Sequence, residues 1–324
     1  MISTEQLRRV REKAKHTRAM VIGDAMLDKY IYGVVDRISP EAPVPVLAHK
    51  HTETKAGGSA NVAMNLSAWG CKTSLVGLTG NDLNADLLAT ILDLHNIHHR
   101  LFRSQARPTT VKTRVVASSH HLLRIDEEST AYLQGQEENE VMAHILAAIE
   151  ADAPDLIILE DYNKGFLTEK IISAIIGSGK GKGVFIAVDP KEKNFFSYKG
   201  ANLFKPNLRE AGQAAHRHLG HDDLGEQSSK WRSSMDIGTL AITLGSKGIF
   251  LQNGKESVLI SPEKAIDVVD VCGAGDAVIC ALALGQMSGL NLTDCGSLAN
   301  LTGAYVCTHS GVVSVDVEAI QRWI

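Results

Sequence analysis

Short apolar, largely β-branched runs recur along the chain, and each stops at a polar or charged residue: Ala19 to Asp24, Leu156 to Asp161, Val184 to Asp189 and Leu240 to Thr243. A run that is apolar at every position, rather than at every second one, predicts a strand covered on both faces, as in a parallel sheet. Between the runs, helical spacing extends over about Ala60 to Trp69, Leu83 to His95, Glu137 to Ala151 and Thr168 to Ile176. This alternation predicts an α/β fold, a mostly parallel sheet with helices on both faces. Ligands of such sheets bind beyond the carboxyl ends of the strands. Asp24, Glu160, Asp161 and Asp189 all fall at such ends, within reach of a polar ligand.

Two segments break the rhythm. Tyr30 to Lys50 carries a proline-rich stretch from Ser39 to Pro45, and Thr109 to Ile125 sets Val111, Arg114, Val116, Leu122 and Arg124 in rough alternation. Both read as strands outside the main sheet. Being apart in sequence, they predict a small discontinuous β lid, at about 30–50 and 109–125, on a single domain spanning residues 1–324 rather than a second domain in series.

Composition narrows the partners. The 324 residues are 44% hydrophobic and 22% charged, with 28 glycines against 8 prolines, which excludes disorder and collagen-like structure. A net charge of −4 provides no global basic field for nucleic acid or an anionic membrane, so any phosphate must be held locally. The basic stretch from Arg8 to Arg18 reads more simply as an amphipathic first helix with Leu7, Val10 and Ala14 inward than as a targeting signal, and no run approaches a membrane span. Five scattered cysteines, Cys71, Cys272, Cys280, Cys295 and Cys307, form no C-x-x-C pair and indicate a reducing, cytoplasmic compartment. His216, His218 and His221 have no upstream cysteine or carboxylate at ligand spacing and read as exposed polar residues. His98, His99, His120 and His121 read as surface residues of loops or lid strands.

Three elements carry chemistry. The first is D-V-C-G-A-G-D from Asp270 to Asp276, followed by an octet without a single polar side chain bar Cys280. A glycine turn opening a buried helix would aim the N–H groups of Gly273, Ala274 and Gly275 outward as an anion cradle. Asp276 beside it could take a proton from a hydroxyl nucleophile, or could simply cap the helix; the local pattern admits both. The second is Gly57 and Gly58 followed by Asn61 and Asn65, where Asn61 offers a donor and an acceptor to sugar hydroxyls, or is only an Asn near a helix start. The third is Lys205-Pro206-Asn207 with Glu210 one turn on, a pair that could support hydrated Mg²⁺ and that in isolation is a capping box.

In this order the three elements resemble the ribokinase-like (PfkB) family of sugar kinases, whose signatures have the forms G-G-x-x-N and D-x-x-G-A-G-D. Further stretches resemble, within that family, the kinases that phosphorylate D-glycero-β-D-manno-heptose 7-phosphate at O1 toward ADP-heptose and the lipopolysaccharide inner core. These stretches are Gly23 to Tyr30, R-I-S-P-E-A-P-V-P-V from Arg37 to Val46, Asp161 to Gly165, and Asp189 to Lys191.

The resemblance implies a ribokinase-like fold, ATP and Mg²⁺, a phosphorylated sugar substrate, and lids that pair between subunits, hence a homodimer. It implies Asp276 as catalytic base, Gly273 to Gly275 as anion hole, and Asn207 and Glu210 as the Mg²⁺–phosphate motif. Asp28, Gly57, Gly58, Asn61 and Asp161 fall at sugar-side positions. Thr243, Gly245, Ser246 and Gly248 match a nucleotide-side turn, and Asn300 a helix beside the adenine. Lys112, Arg114, Lys164 and Lys191 are the candidate cations for the sugar phosphate.

Two residues depart from the pattern. Glu160 stands where a small polar residue is usual, and Cys272 replaces a Thr or Ser; the cysteines read first as buried small hydrophobes, the alternative for Cys272 being a thiol whose pKa the anion cradle lowers and which reacts with electrophiles. In the enzymes it resembles, the kinase is one domain of a bifunctional protein whose other half transfers an adenylyl group; that half has no counterpart motif here, so that step is expected on another polypeptide or beyond this segment. The alternatives are a kinase for another sugar, such as ribose or fructose 6-phosphate, and a non-catalytic sugar- or nucleotide-binding module. A dehydrogenase is disfavoured because Gly23 is the only glycine in the turn after the first strand.

Overall fold

The computed structural model describes residues 2–117, 120–263 and 266–324. Two sheets organise the described residues. The larger holds β1 (Arg18–Gly23), β4 (Lys72–Gly80), β5 (His98–Ser104), β8 (Leu156–Glu160), β9 (Phe185–Asp189), β10 (Leu203–Phe204), β11 (Thr239–Thr243), β12 (Ile249–Gln252) and β13 (Ser257–Ile260). Their order is β13-β12-β11-β10-β9-β8-β1-β4-β5, with every neighbouring pair from β5 to β11 parallel and only β12 and β13 attached antiparallel.

The continuous apolar runs are explained by two cores, one on each face. Ala19, Val21, Leu156 and Ile158 point to α1 (Thr4–Lys15), α2 (Ser59–Trp69), α3 (Leu83–Leu94), α8 (Ala274–Met287) and α9 (Leu292–Cys307). Met20, Ile22, Ile157 and Leu159 point instead to α4 (Gly135–Asp152), α5 (Glu169–Gly181) and α7 (Asp223–Ser234). Successive strand residues face opposite ways, so both alternating sets must be apolar. The four helical stretches read from the sequence are α2, α3, α4 and α5, and α1 buries Leu7, Val10 and Ala14 as its pattern required. His98 and His99 lie on β5 at the edge of this sheet, not in a loop or the lid. None of the described helices is long and apolar enough to cross a membrane.

The second sheet is the lid, in the order β3-β2-β6-β7: β2 (Ala25–Ile38), β3 (Pro45–Gly58), β6 (Thr110–Ala117) and β7 (His120–Glu127). The two separated segments meet where β2 runs parallel to β6; the other two pairings are antiparallel. The first segment reaches further than the sequence suggested, because β2 leaves the main sheet directly after Asp24 and β3 returns straight into α2. Ser118 and Ser119, inside the second predicted segment, lie outside the described residues. Register pairs Asp28 with Lys112 and Tyr30 with Arg114. The two-residue period of the strands therefore puts these four side chains on one face of the lid.

Candidate active site

The helix α8 starts where the glycine turn predicted it. Gly273 occupies the N-cap with φ 77°, a left-handed conformation that favours glycine, and α8 then runs buried from Asp276 to Gly285. The helical ladder begins only at Ala277, whose N–H reaches Gly273 O at 3.1 Å. The amides ahead of it are those a helix start leaves open, and they carry the positive end of its dipole. One correction applies to the cradle: the Ala274 N–H is turned back onto Val271 O at 3.3 Å.

Asp276 does not cap the helix. Its side chain makes no cap hydrogen bond and is almost fully buried. Instead, Asn61 Nδ2 donates to its Oδ2 at 2.6 Å and Tyr162 Oη donates to its Oδ1 at 3.0 Å. Burial pushes its pKa up to about 6 against the hydrogen bonds of Asn61 and Tyr162, which favour the ionised form. A carboxylate with fixed orientation and a pKa near neutrality suits a general base.

Asn61 is therefore placed differently from its expected role. Its amide nitrogen is committed to Asp276, and its Oδ1 accepts from Asn65 Nδ2 at 3.3 Å, so it orients the carboxylate rather than presenting itself to a sugar. Asp161 also differs. Its Oδ1 accepts from the Asn163 N–H at 2.7 Å, and its Oδ2 from Tyr198 Oη at 2.7 Å and Asn194 Nδ2 at 3.0 Å. With both oxygens engaged inward, Asp161 fixes the loop after β8 instead of facing a ligand.

Beneath Asp276 the strand ends supply a dense charge cluster. Carboxylate oxygens of Glu160, Asp189 and Asp276 lie within 4.8 Å of one another. Glu160 is completely buried, and neither of its carboxylate oxygens has a hydrogen-bond partner, so burial drives its pKa well above the usual range. Lys205 supplies a counter-charge: its Nζ stands 2.8 Å from Asp189 Oδ2, both side chains being buried, close to Gly275 at the start of α8. Burial opposes the charge on Lys205, but Asp189, helped by Glu160 and Glu210, holds its pKa above the usual value.

Asn207 and Glu210 form the capping box that opens α6 (Leu208–Ala214). Asn207 Oδ1 accepts from the Glu210 N–H at 2.9 Å, and Glu210 Oε2 accepts from the Asn207 N–H at 2.8 Å. The other oxygen of Glu210 receives Lys191 Nζ at 2.5 Å. Lys191 is thus parted from the other three candidate cations. It lies 5.1 Å from the Tyr162 ring centroid, on the Asp276 side of the site and apart from Lys112 and Lys164.

The remaining cations gather under the lid. Arg114 is ion-paired with Asp28 and lies over the Tyr30 ring at 5.3 Å. A Cβ on Gly57 would stand 2.1 Å from Asp28 Oδ2, so glycine there makes room for that carboxylate, with Gly58 following as the N-cap of α2. Lys112 and Lys164, from the lid and the loop after β8, converge on Glu128 at 3.1 and 2.7 Å.

On the far side, Asn207 bridges to Thr243 at the end of β11, and Gly245 and Ser246 form the tight turn before Gly248 and β12. Asn300 Nδ2 donates to Ile260 O at 2.9 Å and lines a cavity with Ile2, Ile266, Leu301, Ala304 and Trp323. Cys71, Cys280 and Cys295 are buried and Cys272 and Cys307 partly so, and the alternative of a reactive Cys272 is overturned. Burial and a hydrogen bond to Asp270 push its thiol up to about 12, away from thiolate reactivity.

Sequence reasoning missed Lys205, Tyr162 and Glu128 as members of the site. Lys205 and Tyr162 stand inside motifs already singled out, so their neighbours were the available signal. Glu128 closes the acidic run Asp126 to Glu128, which nothing in the sequence distinguishes from a solvated turn.

An open helix start, an oriented carboxylate and flanking lysines at the sheet's carboxyl edge, below a β lid, define a site for phosphoryl transfer to a small polar acceptor. The chain belongs to the pfkB family of carbohydrate kinases, whose profile, pfkB family carbohydrate kinase, matches residues 16–319. It is 38% identical over 306 residues to the Bifunctional protein HldE of Methylobacillus flagellatus, covering 94% of this chain and 62% of that protein. To the protein of the same name from Caulobacter vibrioides it is 39% identical over 297 residues, covering 90% of this chain and 60% of that one. The chain thus spans less than two thirds of these relatives. Among solved structures, phosphofructokinase-2 from Escherichia coli in complex with fructose-6-phosphate superposes with TM-score 0.77 at 16% identity, covering 95% of this chain and 99% of that one. Arabidopsis thaliana ribokinase complexed with ribose and ATP gives TM-score 0.71 at 19% identity, covering 94% and 99%. These two likenesses establish the ribokinase-like fold.

Proposed function

We propose that this chain is an ATP-dependent kinase, one domain with a β lid, that phosphorylates O1 of D-glycero-β-D-manno-heptose 7-phosphate to the 1,7-bisphosphate, on the route to ADP-heptose and the lipopolysaccharide inner core. The observation that carries the reading is the span of one loop. Tyr162 holds Asp276 through its hydroxyl, while the backbone N–H groups of Tyr162 and Lys164 both donate to Asp24 Oδ2, and Lys164 ends at the lysine pair under the lid. A sugar along this loop has its anomeric hydroxyl at Asp276 and its distal phosphate at Lys112 and Lys164. The kinship with the HldE proteins, 35–39% identical, and the resemblance of Arg37 to Val46 to the heptose 7-phosphate kinases support this reading.

In this mechanism Asp276 accepts the O1 proton as O1 attacks the γ-phosphorus of ATP. The new O1–P bond forms while the bond from the γ-phosphorus to the bridging oxygen breaks, and ADP leaves with that electron pair. The open amides at the start of α8, with Lys205 and Lys191 nearby, face the charge that develops on the transferring group. Asn300 and the Thr243 to Gly248 turn hold the nucleotide. The oxygen-only donors here suit Mg²⁺, and because both oxygens of Glu210 already receive protein donors, it would hold the ion through water, with Asn207 beside it. Held there by Glu210 and Asn207, Mg²⁺ would supply positive charge against the phosphates.

The test is ATP consumption against heptose 7-phosphate, the unphosphorylated heptose, ribose and fructose 6-phosphate. Lys112→Ala and Lys164→Ala are each expected to raise KM for heptose 7-phosphate about tenfold or more, because a charge-assisted hydrogen bond is worth roughly 1.5–3 kcal/mol, with little change for the unphosphorylated sugar. Preference of the wild type for an unphosphorylated sugar would overturn the substrate assignment and leave a kinase for another sugar.

A cytoplasmic homodimer completes the reading. All five cysteines are free thiols. At the lid's edge, β7 exposes Leu122, Leu123 and Ile125 at 43%, 58% and 47%; it pairs with β6 on one side, and a second copy would cover its outer side. Leu123→Glu should therefore sediment as a monomer at micromolar concentration where the wild type sediments as a dimer.

A further inference from the structure

Glu128 holds the two lysines in a particular way. Each carboxylate oxygen takes one ammonium: Oε1 receives Lys164 Nζ at 2.7 Å and Oε2 receives Lys112 Nζ at 3.1 Å. The three side chains are only 14–19% exposed, so the contacts are weakly screened. Burial works to raise the Glu128 pKa, but the hydrogen bonds from Lys164 and Lys112 outweigh it and hold the carboxyl below its usual range, keeping it ionised. Asp126 adds a second negative charge, 3.6 Å from Lys112 and 2.9 Å from Arg124.

Next to this triad is a small cavity lined by Asp24, Arg107, Thr110, Ser129 and Lys164. Arg107 is tied down by its two terminal nitrogens, which donate to Lys164 O and Ala131 O at 2.9 Å each, while its Nε is buried without a partner. A fixed guanidinium with a spare donor, beside two lysines that each already hold one oxygen of a single carboxylate, describes an anion site filled from within.

We propose that Glu128 is an internal stand-in for the distal phosphate of the substrate: it keeps Lys112 and Lys164 converged in the free protein, and a phosphate monoester must displace it to bind. The inference rests on the reading of this end of the site as the sugar-phosphate end, and it makes Glu128 a specificity-determining residue. An acceptor without a phosphate leaves the Glu128 pairs intact. Only a group with at least two anionic oxygens replaces both ammonium contacts at once, so the carboxylate sets a threshold against weaker anions.

The experiment uses inorganic phosphate as probe, measured by calorimetry on the wild type, Glu128→Gln, Glu128→Ala and Glu128→Gln/Lys164→Ala, without sugar or nucleotide. Removing the internal competitor should tighten phosphate binding about tenfold or more in both single variants, a shift of about 1.4 kcal/mol. Adding Lys164→Ala should abolish the gain. Unchanged or weaker phosphate binding in both single variants overturns the proposal, because it would mean that Glu128 supports the site rather than occupying it. The probe contains no sugar, so the two readings fail separately. Tightened phosphate binding in an enzyme that does not turn over heptose 7-phosphate would sink the substrate assignment alone.

Discussion

Replacing Asp276 with asparagine should lower kcat by about 10²-fold or more while nucleotide affinity stays within a few-fold. The amide keeps the size and can still engage Asn61 and Tyr162 after a flip, but it cannot accept the proton of the attacking hydroxyl. The pH profile provides a second reading of the same variant. With the carboxyl raised by burial to about 6, wild-type kcat/KM should climb as pH rises through about 6, where the base becomes ionised. The residual activity of Asp276→Asn should lack that limb. A variant with near-normal kcat and an unaltered acid limb would reduce Asp276 to a structural residue of α8.

The second large effect is expected at Lys205, where methionine keeps the stem and removes the charge. Glu160, Asp189, Asp276 and Glu210 crowd this region, and Lys205 and Lys191 are the lysines that answer them. Without Lys205, Asp189 loses its 2.8 Å partner in a buried setting. Breaking a buried pair by removing one member costs about 3–5 kcal/mol, so the urea midpoint of Lys205→Met should fall strongly at pH 8. The pH dependence has a definite sign. Asp276 and Glu160 have folded pKa values above their unfolded ones, so the stability that their protonated forms contribute is complete at low pH and is lost as pH rises through the folded values, about 6 for Asp276. The deficit of Lys205→Met should therefore shrink as pH falls through about 6, where carboxyl protonation relieves the uncompensated charge. Adding Asp189→Asn should recover part of the loss at pH 8. A Lys205→Met protein within about 1 kcal/mol of wild type at pH 8 would show that the cluster is already neutralised by protons.

A good part of the fold can be read along the chain because its signals are local. The uniformly apolar strands follow from a sheet covered on both faces, and α8 from an apolar octet behind a glycine turn. The two lid segments stood out because they broke the βα rhythm. The small strands β10, β12 and β13 left no such mark: β10 has only two residues, and the other two are short extensions at the antiparallel edge. His98 and His99 were misplaced for a related reason, since an edge strand such as β5 need not be apolar on both faces.

The sequence by itself determined which residues stand at the strand ends, and hence that Asp24, Glu160, Asp161 and Asp189 would share one edge of the sheet, and that Asp276 and the Gly57–Asn61 stretch would each open a helix; that these belong to one site was implied by the family resemblance. Periodicity and glycine placement are local properties, and the parallel-sheet rule turns them directly into position. Only the tertiary structure decided how these groups are used. Asn61 holds Asp276, Asp161 turns inward, Lys191 goes to Glu210 while Lys112 and Lys164 go to Glu128, and Lys205 answers Asp189. Each of these choices depends on which side chain from a distant part of the chain arrives within about 3 Å, and at that range charge and hydrogen bonding outweigh any preference encoded in neighbouring residues.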